Sequence, residues 1–355
     1  MLPTHTPRSS NSEGLVHAFL LWLRRVWAFL LRFWSRLKDM GSAQRATLSA
    51  GTSITYSSQS IAEGGFSFVH KATNTRTGRT YALKKILCQS EEQKRSALNE
   101  IKRHRDLHHP NLMPLIDSDM CAQVNGTMAL LLFPFADGGS LREMINWRVL
   151  GLGGGMGESE ALRLFEGVCR GVAALHTQIP PLVHRDIKPE NVLLMKDSSS
   201  PSEALIPVLT DFGSMGAADV VVTCRAEALK VQDEAAQFCS MAYRAPELFD
   251  VASDAVLGAA TDVWSLGCLL YAIAFGFSPF ESEFTSEGVV RVVECSFLRV
   301  IGPVAWPPAN APVYQSRGDY STGFRELVAA VLQQSPEKRP TVGTVLEWVR
   351  SLQQQ

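Results

Sequence analysis

The chain lacks the paired cysteines that disulfide frameworks and zinc sites require. Its seven cysteines are scattered, and no two of them form a CxxC pair. An odd, unclustered set argues against structural disulfides and against zinc, since both need cysteines at matched spacings. The pattern favours a reducing compartment for the folded part of the protein.

The chain also has almost no net charge. Its formal charge is −1, which gives no electrostatic reason to expect nucleic acid as a partner. Charged residues make up 19% and apolar residues 46%, a balance that excludes wholesale disorder. A length of 355 residues is enough for one large domain of two lobes and an appendage.

The amino-terminal segment lacks an uninterrupted apolar run. In residues 15–38, Arg24 and Arg25 stand in the middle of a stretch that is otherwise rich in Leu, Trp and Phe. A bilayer-spanning helix needs ~20 nearly uncharged residues. At about 100° per residue, the basic side chains fall within one arc and Trp22 and Phe33 lie on the opposite side. This pattern predicts an amphipathic helix over about 15–38 that contacts a membrane surface peripherally.

Other readings of the same segment stay open. Transit peptides are also amphipathic, rich in arginine and poor in acids, so entry into an organelle is not excluded. A helix that packs on the core or on a partner has a similar pattern. Translation from Met40 would expose Gly41 for myristoylation, although Arg45 stands where that motif has Ser or Thr.

Two motifs in the middle of the chain carry the groups that phosphoryl transfer needs, HRDIKPEN and then DFG. The reaction requires a carboxylate beside the attacking hydroxyl, metal ligands beside the phosphates, and positive charge. Asp186 can accept the proton of the hydroxyl, and Lys188 can meet the γ-phosphate. Asn191 and Asp211 can hold Mg²⁺, which prefers hard oxygen ligands.

With these motifs in order, the sequence resembles the eukaryotic protein kinase family. The resemblance implies an α+β fold of two lobes, a β-rich small lobe with one helix and a mainly α-helical large lobe. We expect an N-terminal extension over residues 1–50, the small lobe over 51–136 and the large lobe over 137–352. The resemblance also implies ATP and Mg²⁺ as cofactors, and a protein Ser or Thr hydroxyl as the acceptor.

A segment in the small lobe resembles the kinase glycine-rich loop. Glycines in such a loop let backbone N–H groups approach phosphates. Two positions depart from the family pattern, because Ala62 and Ser67 stand where the family has glycine. Residues of this loop that the resemblance assigns to ATP binding are Ala62, Glu63, Gly64, Gly65, Phe66, Ser67 and Val69.

The strand that follows the loop supplies the lysine that meets the α- and β-phosphates, which by resemblance is Lys84. Since neighbours on a strand point to opposite faces, only one of Lys84 and Lys85 can point into the cleft. By resemblance, Phe133 is the gatekeeper in front of the hinge. The positions assigned to the adenine site are Val69, Ala82, Phe133, Pro134, Ala136 and Leu193.

Residues 90–107 have the composition of a charged helix that begins at a Ser90 cap, with acidic residues in its first turn. Kinases place one glutamate on this helix to pair with the strand lysine, and Glu100 matches its register. His104, one turn later, stands where kinases usually have an apolar residue.

The activation segment that the resemblance implies runs from Asp211 to Glu247. Ser240 matches the residue that bonds to the catalytic aspartate and lysine in serine/threonine kinases, and Lys188 belongs to the same pattern. Apolar residues in Arg225 to Phe238 could form an additional helix in this segment.

Three further residues are expected to support the site. Arg185 can pair with a phosphate on the activation segment, for which Ser214 and Thr223 are the candidate acceptors. An active form without this phosphate is the open alternative. By resemblance, Asp262 bonds to the backbone of the catalytic loop, and a buried carboxylate needs such a partner. Arg339 matches the arginine that pairs with Glu247.

Four segments resemble motifs of the Numb-associated kinase family, namely Glu63 to Val69, Ala82 to Cys88, Asp211 to Met215 and Tyr243 to Phe249. The resemblance covers about residues 52–351. This narrower resemblance implies a helix in the activation segment. It also implies a cytoplasmic enzyme that is peripheral on Golgi or other intracellular membranes. The chain has no N-terminal Gly-Cys acylation signal, so residues 15–38 would take over the membrane contact.

Two rival functions remain to be weighed against an active protein kinase. A pseudokinase that acts as a scaffold is favoured only by the altered glycine-rich loop, since the catalytic positions are all present. Transfer to a small-molecule hydroxyl is the other rival, and the Ala-Pro-Glu end of the activation segment argues against it.

Overall fold

The structure, a computed structural model, describes residues 44–64, 67–151, 155–197, 204–286, 289–308 and 320–354. The amphipathic segment expected over residues 15–38 lies outside these ranges, as do Gly65 and Phe66 of the glycine-rich loop. The described residues form a β-rich small lobe and a larger, mainly helical lobe. The α+β fold of two lobes that we expected is therefore confirmed.

The small lobe is built on an antiparallel sheet of six strands in the spatial order β1–β2–β3–β4–β6–β5. The sheet begins before residue 51, where we expected the small lobe to start, because its first strand, at residues 44–47, pairs with residues 53–56 of the second strand. The strands are β1 (Gln44–Thr47), β2 (Ser53–Gly64), β3 (Ser67–Asn74), β4 (Thr80–Cys88), β5 (Asp117–Gln123) and β6 (Gly126–Pro134).

Alternation along the strands sends neighbouring side chains to two different apolar clusters. In β6, Leu130 and Leu132 pack into one cluster, whereas Leu131 and Phe133 pack into the other. The second cluster includes Ile101 of the small-lobe helix. A period of two residues thus gives the sheet two packed faces, and one of them positions the helix.

Helix α1 (Glu91–Asp106) connects β4 to β5 and confirms the helix expected over residues 90–107. Ser90 caps it, since its side chain accepts a hydrogen bond from the backbone N–H of Gln93. The Gln93 side chain accepts in return from the backbone N–H of Ser90, which completes a capping box. The helix buries Glu100 and His104 on the side that faces the large lobe's Asp-Phe-Gly motif.

Helices dominate the large lobe, with short two-strand pairings between them. The helices are α2 (Leu141–Ile145), α3 (Glu158–His176), α4 (Arg225–Phe238), α5 (Ala260–Phe275), α6 (Phe297–Val300), α7 (Thr322–Val331) and α8 (Val342–Gln353). A single π-helical turn, Asn146–Leu150, continues α2. The strands are β7 (Leu182–Val183), β8 (Val192–Lys196), β9 (Leu205–Leu209), β10 (Gly216–Ala217), β11 (Val220–Val221), β12 (Val256–Leu257), β13 (Ser282–Phe284) and β14 (Val290–Val292).

Helix α5 is the centre of the large lobe, because every residue from Thr261 to Phe275 is buried. A helix that is apolar all round is typical of the core of a large domain. Helix α4 lies in the activation segment and confirms the additional helix expected from Arg225 to Phe238. Within the described ranges, no helix combines the length and the apolar character that crossing a bilayer would take.

Candidate active site

The ammonium group of Lys84 lies between two carboxylates. Its Nζ is 2.8 Å from Oε1 of Glu100 and 2.9 Å from Oδ1 of Asp211. Lys84 is on β4, Glu100 is on α1, and Asp211 follows β9 of the large lobe. The three side chains therefore join the two lobes at one point. Lys85 points to the other face of the sheet, with its Nζ 5.1 Å from the centre of the Tyr56 ring.

The surroundings of Lys84, Glu100 and Asp211 shift the pKa values of the two carboxylic acids in opposite directions. Burial by itself would lower the pKa of Lys84, but the charges of Glu100 and Asp211 raise it above its ordinary value. Burial raises the pKa of Glu100 in spite of the nearby lysine. Burial acts on Asp211 in the same direction, yet the charge and hydrogen bond of Lys84 bring its pKa below the ordinary value. Asp211 is thus the stronger acid of the two.

Asp186 is held by donors on both oxygens of its carboxylate. Oδ1 accepts from the Ser240 hydroxyl at 2.7 Å and from its backbone N–H at 3.1 Å. Oδ2 lies 2.7 Å from Lys188 Nζ and accepts from Asn191 Nδ2 at 2.8 Å. Lys188 also donates to the Ser240 hydroxyl oxygen at 2.7 Å. These contacts fix the orientation of the carboxylate, which is what a group that must meet a hydroxyl requires.

Asn191 and Asp211 present the donor atoms expected for Mg²⁺. The Nδ2 atom of Asn191 donates to the Asp186 backbone oxygen and to its carboxylate, both at 2.8 Å. Because the NH₂ group makes these hydrogen bonds, the amide oxygen of Asn191 is the side-chain atom that can bind a metal ion. Across the described ranges no group of three or more His, Cys, Asp or Glu is arranged to hold a metal. One amide and one carboxylate oxygen fit Mg²⁺, because its other ligands are usually water and substrate phosphates.

The residues expected around adenine come from both lobes. Ala82 is opposite Phe133 in the pairing of β4 with β6, and Leu193 on β8 packs against the same apolar cluster. Pro134 and Ala136 follow Phe133 and are half-buried. In the glycine-rich hairpin, the remaining described pairs join Ala62 to Val69, Glu63 to Phe68 and Gly64 to Ser67.

Asp262 lies beneath the catalytic loop and bonds to its backbone. Its carboxylate accepts from the backbone N–H of His184 at 2.8 Å and from that of Arg185 at 2.9 Å. Arg185 has a φ of 72°, a left-handed conformation that costs energy for arginine. Burial alone would raise the pKa of Asp262, but its hydrogen bond and charge contact with His176 bring the pKa below its ordinary value. Asp262 therefore stabilises the strained loop as an anion.

Glu247 and Arg339 form a bidentate ion pair at the end of the activation segment. The two guanidinium nitrogens lie 2.6 and 2.8 Å from the two carboxylate oxygens. The guanidinium also donates to the backbone oxygens of Ala260 and Gln333 and stacks over the Trp264 ring. This fork anchors the segment to α5.

The model of the protein kinase domain family matches residues 56–349. The chain belongs to the protein kinase family. It is 36% identical to serine/threonine-protein kinase 16 of Rattus norvegicus over 295 residues, which cover 83% of this chain and 89% of that protein.

Two further relatives have the same kind of description. Serine/threonine-protein kinase 16 of Homo sapiens is 36% identical over 297 residues, covering 83% of this chain and 89% of the relative. A probable serine/threonine-protein kinase of Dictyostelium discoideum is 30% identical over 351 residues, covering 82% and 92%. The protein is thus a serine/threonine protein kinase.

Several residues that the sequence did not indicate also contact this site. His176 donates from Nε2 to the Asp262 carboxylate at 3.0 Å, and Arg103 contacts the Asp-Phe-Gly backbone. Arg142 lies 2.8 Å from Glu190 and donates to the Tyr243 hydroxyl at 3.2 Å. The need of a buried Asp262 for partners could have pointed to His176, which ends the helix before the catalytic loop. For the two arginines the sequence carries no comparable signal.

The residues suggested for regulation by phosphate already have partners. The Ser214 hydroxyl donates to the backbone oxygen of His184 at 2.8 Å. The Thr223 hydroxyl donates to Glu227 at the beginning of α4, also at 2.8 Å. Arg185 lies 3.6 Å from the carboxylate of Glu234 on α4. A carboxylate of the activation segment therefore stands beside the arginine for which a phosphate partner was expected.

Proposed function

We propose that this kinase transfers the γ-phosphoryl group of ATP to Ser and Thr hydroxyls of proteins, with Mg²⁺ bound at Asn191 and Asp211. The observation that carries the proposal is the position of the Lys84 ammonium between Glu100 and Asp211. This contact joins the strand lysine, the small-lobe helix and the predicted metal ligand. A site for a metal–nucleotide complex needs these three groups together.

Within this proposal, Asp186 accepts the proton of the attacking hydroxyl. Lys188 contributes positive charge next to it, where negative charge spreads during transfer. Ser240 orients both, because its hydroxyl donates to Asp186 and accepts from Lys188. Asn191 and Asp211 would hold Mg²⁺, which would supply positive charge to the phosphates of the nucleotide.

Two features support Ser and Thr hydroxyls as acceptors. The relatives that cover most of this chain are described as serine/threonine kinases. The hydrogen bonds that link Lys188, Ser240 and Asp186 also match the serine/threonine pattern that the sequence suggested. These hydrogen bonds attach Ser240 of the activation segment to the catalytic loop.

A test of the proposal is ATP-dependent autophosphorylation of the full chain with mapped phosphosites. We expect label on Ser and Thr in the wild type and none in Asp186→Asn. Asp233→Asn, which neutralises an exposed acid on α4, is the matched control and should label normally. Label on Tyr alone would contradict the acceptor class. Nucleotide binding with no label in any variant would favour the scaffold alternative.

We further propose that residues 15–38 attach this kinase peripherally to Golgi or other intracellular membranes on their cytoplasmic side. The support is the sequence pattern, in which a basic arc stands opposite Trp22 and Phe33. The full chain should sediment with anionic lipid vesicles, and a chain without residues 1–40 should not. Equal sedimentation of both would remove the proposal, and import of the full chain into an organelle would favour a transit segment.

A further inference from the structure

Arg103 connects helix α1 to the backbone of the Asp-Phe-Gly motif. Its Nη1 atom donates to the carbonyl oxygen of Phe212 at 2.8 Å and to that of Gly213 at 3.4 Å. Arg103 comes three residues after Glu100, so both side chains leave the same side of the helix. Glu100 reaches Asp211 through Lys84, and Arg103 reaches the two residues that follow Asp211. The helix is therefore linked to all three residues of the motif, to Asp211 through Lys84 and to Phe212 and Gly213 directly.

The conformation at Asp211 is one that needs support. Its φ is 66°, in the left-handed region that residues other than glycine rarely adopt. The ring of Phe212 is fully buried and stacks on His104, with ring centres 4.0 Å apart. Rotation of the backbone at Asp211 would turn the next carbonyl away from Arg103. The Arg103 hydrogen bonds therefore fit the backbone conformation that Asp211 has here.

The surroundings of Arg103 are unfavourable for a positive charge. Burial lowers the pKa of Arg103, and the nearby charge of Arg185 acts in the same direction, with Glu100 opposing both. The guanidinium hydrogen bonds to the Asp-Phe-Gly motif go to neutral backbone carbonyls. Such bonds from a charged donor are stronger than those between neutral groups. They would be lost with an apolar side chain at this position.

We propose that Arg103 is a positioning residue for phosphoryl transfer. By holding the carbonyls of Phe212 and Gly213, it keeps the Asp211 carboxylate in the orientation that serves the metal. This role rests on the proposed function, because it depends on Asp211 as a metal ligand. It concerns the backbone of the motif, so it differs from the contact between Lys84 and Asp211.

Three variants of the full chain separate positioning from a general loss of stability. Arg103→Met removes the donor, and Arg103→Lys keeps the charge on a compact ammonium in place of the planar guanidinium. Lys102→Met is the matched control, since it removes the same charge from the adjacent, exposed position on α1. Thermal unfolding of each variant shows how much overall stability changes.

Two measurements on these variants test the proposal. The first is hydrogen–deuterium exchange of the Phe212 to Met215 amides in nucleotide-free protein, which should be faster in Arg103→Met. The second is the Mg²⁺ concentration for half-maximal activity, which should rise roughly tenfold, the effect of losing the shorter, 2.8 Å hydrogen bond from a charged donor. Arg103→Lys should be intermediate in both, and Lys102→Met should match the wild type.

The outcomes are distinct. If Arg103→Met matches Lys102→Met in exchange and in Mg²⁺ requirement, Arg103 has no positioning role. A lower melting temperature with an unchanged Mg²⁺ requirement would likewise overturn it in favour of a merely structural contact. If the wild type transfers no phosphate and equals Asp186→Asn, the proposed function fails, and the exchange measurement still decides whether Arg103 holds the motif.

Discussion

The imidazole of His104 stacks on the ring of Phe212, with centres 4.0 Å apart and 15° between the planes. Its Nδ1 lies 2.9 Å from the backbone oxygen of Met113, so this nitrogen carries the proton. Nε2 is buried, has no hydrogen-bond partner among the residues that the structure describes, and lies 4.0 Å from Oε1 of Glu100. A titratable ring thus occupies a packing position between α1 and the Asp-Phe-Gly motif.

The stability of the kinase should depend on pH through His104. Burial lowers its pKa to about 4, so the unfolded chain binds this proton more readily than the folded protein does. The folded state therefore loses stability as pH falls from 6.5 toward 4, by about 2 kcal/mol between pH 7 and 5. Urea unfolding of the wild type and of His104→Leu at both pH values should show a larger loss in the wild type. Parallel losses in the two proteins would refute the assignment.

Ser240→Ala should lower kcat without unfolding the protein. The substitution removes the donor to Oδ1 of Asp186 and the acceptor for Lys188. We expect roughly a tenfold fall in kcat, in line with one hydrogen bond to a charged group. Ser240→Thr keeps the hydroxyl and should retain most of the activity. Steady-state kinetics on a Ser-containing peptide would measure both, and an unchanged kcat in Ser240→Ala would contradict the role.

Asp262→Asn should destabilise the large lobe. An amide oxygen can replace one carboxylate oxygen, but the NH₂ group would then face the backbone N–H of either His184 or Arg185, which bond to different oxygens of Asp262. We expect a loss of about 3 kcal/mol in the free energy of unfolding, as for other broken buried charge contacts. The exposed Asp254→Asn is the control and should stay within about 0.5 kcal/mol of the wild type. If Asp262→Asn also stayed within about 0.5 kcal/mol of the wild type, the catalytic loop would not need the negative charge of Asp262.

Residues of this site could be predicted from the sequence where they lie close to each other in the chain. Lys188 and Asn191 are close to Asp186 in the chain, so one motif was enough to predict them. The Ser90 cap also follows from the short segment around it. Glu234 could not be predicted, because its partner Arg185 comes from the catalytic loop and the two side chains meet only after the large lobe has packed. The early strand β1 was missed for the same reason, since its sequence becomes a strand only by pairing with β2.

Arg339→Lys should lower stability more than its conservative chemistry suggests. Lysine cannot make the two parallel bonds to Glu247, and it cannot reach the backbone oxygens to which the guanidinium donates. We expect a loss of about 2 kcal/mol in the free energy of unfolding. Arg350→Lys, at a half-exposed ion pair with Glu166, is the matched control and should lose no more than about 0.5 kcal/mol. Equal losses in the two variants would show that the fork contributes little.

Binding of a non-hydrolysable ATP analogue, measured by calorimetry with and without Mg²⁺, tests most directly whether Asp211 and Lys84 serve one metal–nucleotide complex. Wild-type protein should bind the analogue more tightly when Mg²⁺ is present. In Asp211→Asn we expect that gain to fall by roughly tenfold, because a carboxylate ligand has become neutral. An equal gain from Mg²⁺ in both proteins, or no binding to the wild type, would contradict the site proposed between the two lobes.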